Sequence, residues 1–80
     1  INRKVEDSAA VLAAIEAEYA PGGHVDKLDG LSIDYAEWRF NVRVSNTEPV
    51  MRLNVETRGD KKLLAEKTAE LLELIGGEEA

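Results

Sequence analysis

The sequence contains no cysteine, so disulfide bonds and thiolate metal sites are excluded. Aromatic residues make up only 5% of its 80 residues, and no apolar run approaches the roughly 20 residues of a membrane-spanning helix. Nothing near the start resembles a secretory leader, and we therefore expect a cytoplasmic protein. The length predicts one domain with one core over residues 1–80. Because the sequence begins at Ile1 rather than methionine, we expect this domain to be excised from a longer chain.

Positive charge is scarce and unevenly distributed. The formal net charge is −6, which argues against nucleic acid or an anionic membrane as a partner. Residues 38–58 nevertheless hold four arginines and only two acids, a net charge of +2. One cationic segment in an acidic domain is typical of a site for a small anion. The four arginines are Arg39, Arg43, Arg52 and Arg58.

Two amphipathic helices are predicted from apolar residues at helical spacing. The first is capped by Asp7 and extends to about Tyr19. The second is capped by Asp60 and closes at Gly76-Gly77. Residues 78–80 would then form a frayed tail.

Alternating apolar and polar residues predict four strands between these helices. The predicted strands are residues 25–28, 31–35, 38–44 and 51–56. Asp29-Gly30 is a favoured two-residue hairpin turn between the first two strands. The order α-β-β-β-β-α predicts an α+β fold, in which a four-stranded antiparallel sheet carries both helices on one face.

The two clearest strands can be paired by the parity of their apolar positions. These positions are even-numbered in residues 38–44 and odd-numbered in residues 51–56, so both sets face the core only in certain registers. The tightest such register leaves residues 45–50 as the loop and pairs Arg43 with Arg52 on the outer face. At ~5 Å, two guanidinium groups repel by on the order of 1–3 kcal/mol. A bound anion between them would reverse the sign of that term.

The loop between these strands is rich in donors that suit a phosphate group. Ser45 and Thr47 offer hydroxyl groups, Asn46 offers an amide, and the turn offers backbone N–H groups. Arg43 adds a planar fork that matches a pair of phosphate oxygens. Serine, asparagine, threonine and proline are also common turn formers. Spacing and charge alone therefore leave an ordinary solvent-exposed turn as an equal alternative.

The heptapeptide RVSNTEP at residues 43–49 resembles the phosphate-binding loop of the α-D-phosphohexomutases. The surrounding WRFNVRVSNTEPVMRLNVETRGD is similar to bacterial phosphomannomutases, and the similarity extends over essentially the whole chain. The resemblance implies the fourth, C-terminal domain of a four-domain enzyme, with a TATA-binding-protein-like sheet. It also implies interconversion of hexose 1-phosphate and 6-phosphate through a bisphosphorylated sugar. The phosphoserine and the magnesium ion of that reaction would lie in other domains.

The resemblance further implies that this domain grips the phosphate that is not being transferred. Arg43, Ser45, Asn46 and Thr47 fall on the family's phosphate-contacting positions, and the predicted register adds Arg52. No catalytic or metal-binding motif of the family matches, so the isolated chain is expected to be inactive and to need no cofactor of its own. Its expected partners are a hexose phosphate and the other domains of the same chain.

Two alternatives remain open at this point. Asparagine at position 46 favours a phosphomannomutase, but a phosphoglucomutase or a dual-specificity mutase would use the same domain in the same role. A free-standing anion-sensing or dimerisation module, without catalysis, would also account for the cationic loop.

Overall fold

A computed structural model describes residues 1–28, 30–45 and 47–79 of the chain. Within these residues the chain forms two helices and six strands. In chain order they are β1 (Asn2–Lys4), α1 (Ser8–Tyr19), β2 (His24–Asp26), β3 (Leu31–Asp34), β4 (Trp38–Val44), β5 (Val50–Thr57), α2 (Lys61–Ile75) and β6 (Glu78–Glu79). The predicted Asp29-Gly30 turn involves Asp29, which lies outside the described residues.

The strands form one antiparallel sheet in the order β2-β3-β4-β5-β1-β6. The α+β class is confirmed, but the prediction of four strands is wrong because β1 and β6 extend the sheet beyond β5. The expected frayed tail is also wrong for Glu78–Glu79, which pairs with β1. The sequences of β1 and β6 show no alternation of apolar and polar residues, and pairing with neighbouring strands holds them in the sheet. Their pairing is a long-range property that local sequence does not carry.

Both helices begin where an aspartate caps them. The Asp7 Oδ1 atom accepts a hydrogen bond from the Ala10 backbone N–H at 3.1 Å, and Asp60 Oδ1 accepts one from Leu63 N–H at 2.9 Å. The second helix ends at Gly76, whose φ of 66° lies in the region that favours glycine. The predicted helix boundaries are therefore confirmed.

The two helices cover the same face of the sheet. Ile15 of α1 and Leu71 of α2 are fully buried, and they join the core that also contains Phe40, Val42 and Leu53 of the central strands. Burial of these apolar side chains is the main stabilising contribution in a domain of this size. Neither described helix is long and apolar enough to cross a lipid bilayer. The opposite face of the sheet, here called the outer face, carries the polar side chains of β3, β4 and β5.

The predicted register of the central hairpin is confirmed in every pair. Val42 lies opposite Leu53, and Phe40 lies opposite Val55, on the side of the helices. Three pairs therefore lie on the outer face, and these are Arg39 with Glu56, Asn41 with Asn54, and Arg43 with Arg52. The last of these pairs sets the position of the candidate site.

Candidate functional site

Arg43 and Arg52 lie side by side at the end of the central hairpin. They are directly opposed residues of β4 and β5, and both side chains are exposed on the outer face. Asn2 of β1 is the next residue in the same row, opposed to Arg52. The Arg52 Nε–H donates to Asn2 Oδ1 at 3.3 Å. Two cationic groups and one neutral amide thus occupy neighbouring positions on adjacent strands.

These side chains border a shallow depression of about 300 Å³. This volume is at the lower end of the ~300–1,000 Å³ that small-molecule sites occupy. Its lining residues are Asn2, Arg43, Val44, Ser45, Glu48, Val50 and Arg52. The depression therefore combines two guanidinium groups, one hydroxyl and one carboxylate, and its formal charge is positive when Glu48 is included.

The Ser45 side chain organises the loop that closes one end of the depression. Its Oγ atom accepts hydrogen bonds from the backbone N–H groups of Thr47 at 3.3 Å and Glu48 at 3.2 Å. The Ser45 N–H itself donates to the carbonyl oxygen of Val50 at 3.0 Å. The expectation of free backbone N–H groups is therefore wrong for these three residues, because serine at the start of the turn accepts from its own loop.

The hydroxyl groups of Ser45 and Thr47 lie 3.3 Å apart, so one of them donates to the other. Both lone pairs of the Ser45 oxygen already accept from backbone N–H groups. If Ser45 is the donor in this pair, the hydroxyl hydrogen of Thr47 remains available for another acceptor. In the described part of the loop, the backbone N–H groups of Ser45, Thr47, Glu48 and Val50 all have acceptors within the loop.

Arg39 lies on the same strand and the same face, at the opposite end of β4 from the loop. Its Nε lies 2.7 Å from Asp34 Oδ1, and its Nη1 lies 3.3 Å from Glu56 Oε2. The hydrogen bond to Asp34 is the main reason why the pKa of Arg39 is raised. Two carboxylates thus balance this guanidinium, and the predicted cross-strand pair with Glu56 is confirmed.

The structure brings together most of the residues that sequence reasoning assigned to the site. Arg43, Ser45 and Arg52 line one depression, and Thr47 is joined to it through the Ser45 hydroxyl. Asn46 lies outside the described residues. Asn2 was missed, since it reaches the site only through the pairing of β1 with β5 and nothing in its local sequence signals that pairing.

Gly30 was also missed as a component of the site. A Cβ atom at this position would collide with the carbonyl oxygen of Val42 and lie 3.2 Å from both Cα and Cγ of Arg43. The φ of Gly30 is +73°, in the left-handed region. Glycine here therefore lets the chain before β3 approach Arg43 closely. Elsewhere among residues 1–28, 30–45 and 47–79, no group of three or more histidine, aspartate or glutamate side chains is arranged to hold a metal ion.

Comparison with known protein families matches residues 1–74 to the phosphoglucomutase/phosphomannomutase C-terminal domain. The chain is 55% identical over 76 residues to a protein named phosphomannomutase from Escherichia coli. It is 51% identical over 76 residues to one of the same name from Salmonella montevideo. Each alignment covers 94% of this chain.

A further relative, from Xanthomonas campestris pv. campestris strain B100, is named phosphohexose mutases and is 50% identical over 78 residues, or 96% of this chain. In all three comparisons the chain spans 17% of the length of the relative. The similarity therefore extends along nearly the whole of this chain and a small part of each relative.

Proposed function

The chain belongs to the phosphoglucomutase/phosphomannomutase family, in which it matches the C-terminal domain, and we propose that it holds the substrate phosphate that is not being transferred. The proposed reaction interconverts mannose 6-phosphate and mannose 1-phosphate through a bisphosphorylated sugar. The observation that carries the proposal is the direct opposition of Arg43 and Arg52 beside the Ser45 hydroxyl. In this role the site comprises Arg43, Ser45, Asn46, Thr47 and Arg52.

A phosphate group between the two arginines would be held mainly by charge. Each guanidinium can donate two parallel N–H bonds to a pair of phosphate oxygens. A hydrogen bond to a charged group contributes about 1.5–3 kcal/mol in general. The Thr47 hydroxyl would add a directional donor, while the Glu48 carboxylate would oppose the anion from the rim of the depression.

Binding the distal phosphate would assist a reaction that takes place at the other end of the sugar. Energy gained far from the reacting atoms can be used to orient them against the phosphoryl donor. The bisphosphorylated intermediate must also turn round, so that its two phosphates exchange places. A site that recognises the phosphate group rather than the sugar accepts either end, which is what arginine and hydroxyl donors provide.

The phosphoserine and the magnesium ion of this reaction are proposed to lie in other domains of the same chain. The proposal itself assigns no metal to this domain. The names of the Escherichia coli and Salmonella relatives support mannose phosphates as substrates. The Xanthomonas relative, named for phosphohexoses, supports a second candidate, in which the same domain serves glucose phosphates as well.

The proposal is tested by titrating the 80-residue chain with mannose 6-phosphate while its amide NMR signals are recorded. We expect the largest changes at Ser45, Thr47 and Glu48 and small changes in the helices, with a Kd in the millimolar range, about −4 kcal/mol. Arg43→Ala should weaken binding on the order of tenfold, because it removes one of the two charged forks.

Arg39→Ala is the matched control, since Arg39 lies on the same strand and face, roughly 13 Å from Arg43 along β4. It should change the affinity less than twofold. Equal losses in the two arginine variants, or signal changes centred on the helices, would show that the depression is not the phosphate site.

A further inference from the structure

Asn2 is placed rigidly beside the arginine pair. Ile1 exchanges two hydrogen bonds with the backbone of Leu53, from the Ile1 amino group to the Leu53 carbonyl at 3.0 Å and from the Leu53 N–H to the Ile1 carbonyl at 2.8 Å. At the other end of β1, the Val5 N–H donates to the Pro49 carbonyl at 2.8 Å. The strand is therefore tied to β5 on one side of Asn2 and to the loop on the other.

The contact between Asn2 and Arg52 determines which atoms of each side chain remain available. Arginine Nε can only donate, so the atom that it meets at 3.3 Å must be the amide oxygen of Asn2. Using Nε in this bond leaves the four N–H donors on the two terminal nitrogens of Arg52. Because Asn2 and Arg52 both line the depression, the bond also holds the guanidinium beside it.

We infer that Asn2 is a positioning residue for the phosphate site, and that it acts by giving Arg52 a neutral hydrogen-bond acceptor. The inference rests on the proposed function, because it assigns a role to Asn2 within the same site. A carboxylate at this position would also accept from Nε, and more strongly, but it would neutralise Arg52 and repel an incoming phosphate. An amide orients the guanidinium and leaves its charge for the ligand.

Asn2 contributes both a hydrogen-bond acceptor and the absence of a negative charge, and two different substitutions are needed to separate these effects. Asn2→Asp keeps the acceptor and nearly the same shape but adds a negative charge. Asn2→Ala removes the acceptor and adds no charge. Asn54→Asp is the charge control, because Asn54 is exposed on the outer face of β5, two residues and ~7 Å from Arg52.

The experiment measures the affinity of inorganic phosphate for the 80-residue chain and these variants by NMR titration, together with their urea unfolding midpoints. We expect Asn2→Asp to weaken phosphate binding on the order of tenfold, with an unfolding midpoint at or above that of the unaltered chain. Asn2→Ala should weaken binding about threefold, and Asn54→Asp by less than that, since the Coulomb energy falls with distance and a carboxylate at position 54 would lie ~7 Å from Arg52 instead of in hydrogen-bond contact with it. If the role of Asn2 were merely structural, a loss of phosphate affinity would be accompanied by a lower unfolding midpoint.

Arg43→Ala in the same series distinguishes failure of this inference from failure of the proposed function. Weaker binding by Arg43→Ala with unchanged binding by Asn2→Asp would overturn the role of Asn2 and leave the phosphate site in place. Unchanged phosphate binding in both variants would overturn both the role of Asn2 and the proposed phosphate site. Equal losses in Asn2→Asp and Asn54→Asp would reduce the effect to general electrostatics and would also overturn the positioning role.

Discussion

At the scale of single residues, the site depends on Gly30, which has no side chain, as well as on the charged residues Arg43 and Arg52. Gly30 passes so close to β4 that a Cβ atom there would collide with the Val42 carbonyl oxygen. The Cα and Cγ atoms of Arg43 would lie 3.2 Å from the same Cβ atom. A side chain at position 30 would therefore displace one of the two arginines that define the depression. The sequence does not reveal this close approach, because in it Gly30 appears only as the second residue of a predicted hairpin turn.

We expect Gly30→Ala to destabilise the domain more than Gly59→Ala does. Both glycines have positive φ, +73° and +84°, so both alanines carry a backbone cost of about 1–2 kcal/mol. Only Gly30 adds a collision, which costs roughly a further 1–3 kcal/mol, because a Cβ at Gly59 meets nothing within 4 Å. Urea unfolding of the two variants measures the difference. Equal free energies of unfolding would show that the close approach at Gly30 is unimportant.

The positions of individual residues could be predicted where the apolar pattern of one strand could be compared with that of the adjacent strand. The parity of apolar positions in β4 and β5 is a local property, and it was enough to place Arg43 opposite Arg52. It could not reach Asn2, whose partner is 50 residues away in the sequence. The prediction that backbone N–H groups of the loop would bind the ligand failed for Thr47 and Glu48, because the Ser45 side chain accepts hydrogen bonds from both.

At the scale of elements, the loop between β4 and β5 is a turn preformed by its own side chains. The backbone N–H groups of Thr47 and Glu48 converge on Ser45 Oγ, so these hydrogen bonds restrain the described part of the loop before any ligand binds. The helices and strands β2 to β5 follow from periodicity and caps. Strands β1 and β6 do not, because their stability comes from pairing with partners distant in sequence.

Ser45→Ala should loosen the loop without unfolding the domain. Removing the acceptor of the Thr47 and Glu48 N–H groups should speed their hydrogen exchange roughly fivefold, the equivalent of about 1 kcal/mol for one hydrogen bond. Ser45→Thr keeps the hydroxyl and serves as the control. The Leu53 N–H, bonded to Ile1 in the sheet, should be unaffected in both variants. Equal exchange at Thr47 in the alanine and threonine variants would contradict this account of the loop.

At the scale of the whole molecule, the domain is an acidic body with one cationic depression at the end of its sheet. The net charge of −6 is unfavourable for polyanions, whereas a single phosphate in the depression would meet the local charges of Arg43, Arg52 and Glu48, whose sum is positive. The chain matches the C-terminal domain of its family and spans 17% of the length of the relatives, and in the proposed function it contributes binding to a reaction carried out elsewhere in a longer chain. We accordingly expect the 80-residue chain alone to be catalytically inactive.

The most direct test of this account is the catalytic efficiency of a complete mutase that carries this domain. Arg43→Ala should lower kcat/KM for mannose 1-phosphate by on the order of tenfold to a thousandfold, the loss of one or two charged hydrogen bonds to the distal phosphate. Arg39→Ala, in which the lost guanidinium is already paired with Asp34 and Glu56, should change it by less than about twofold. An Arg43→Ala enzyme with the unaltered catalytic efficiency would contradict the central claim.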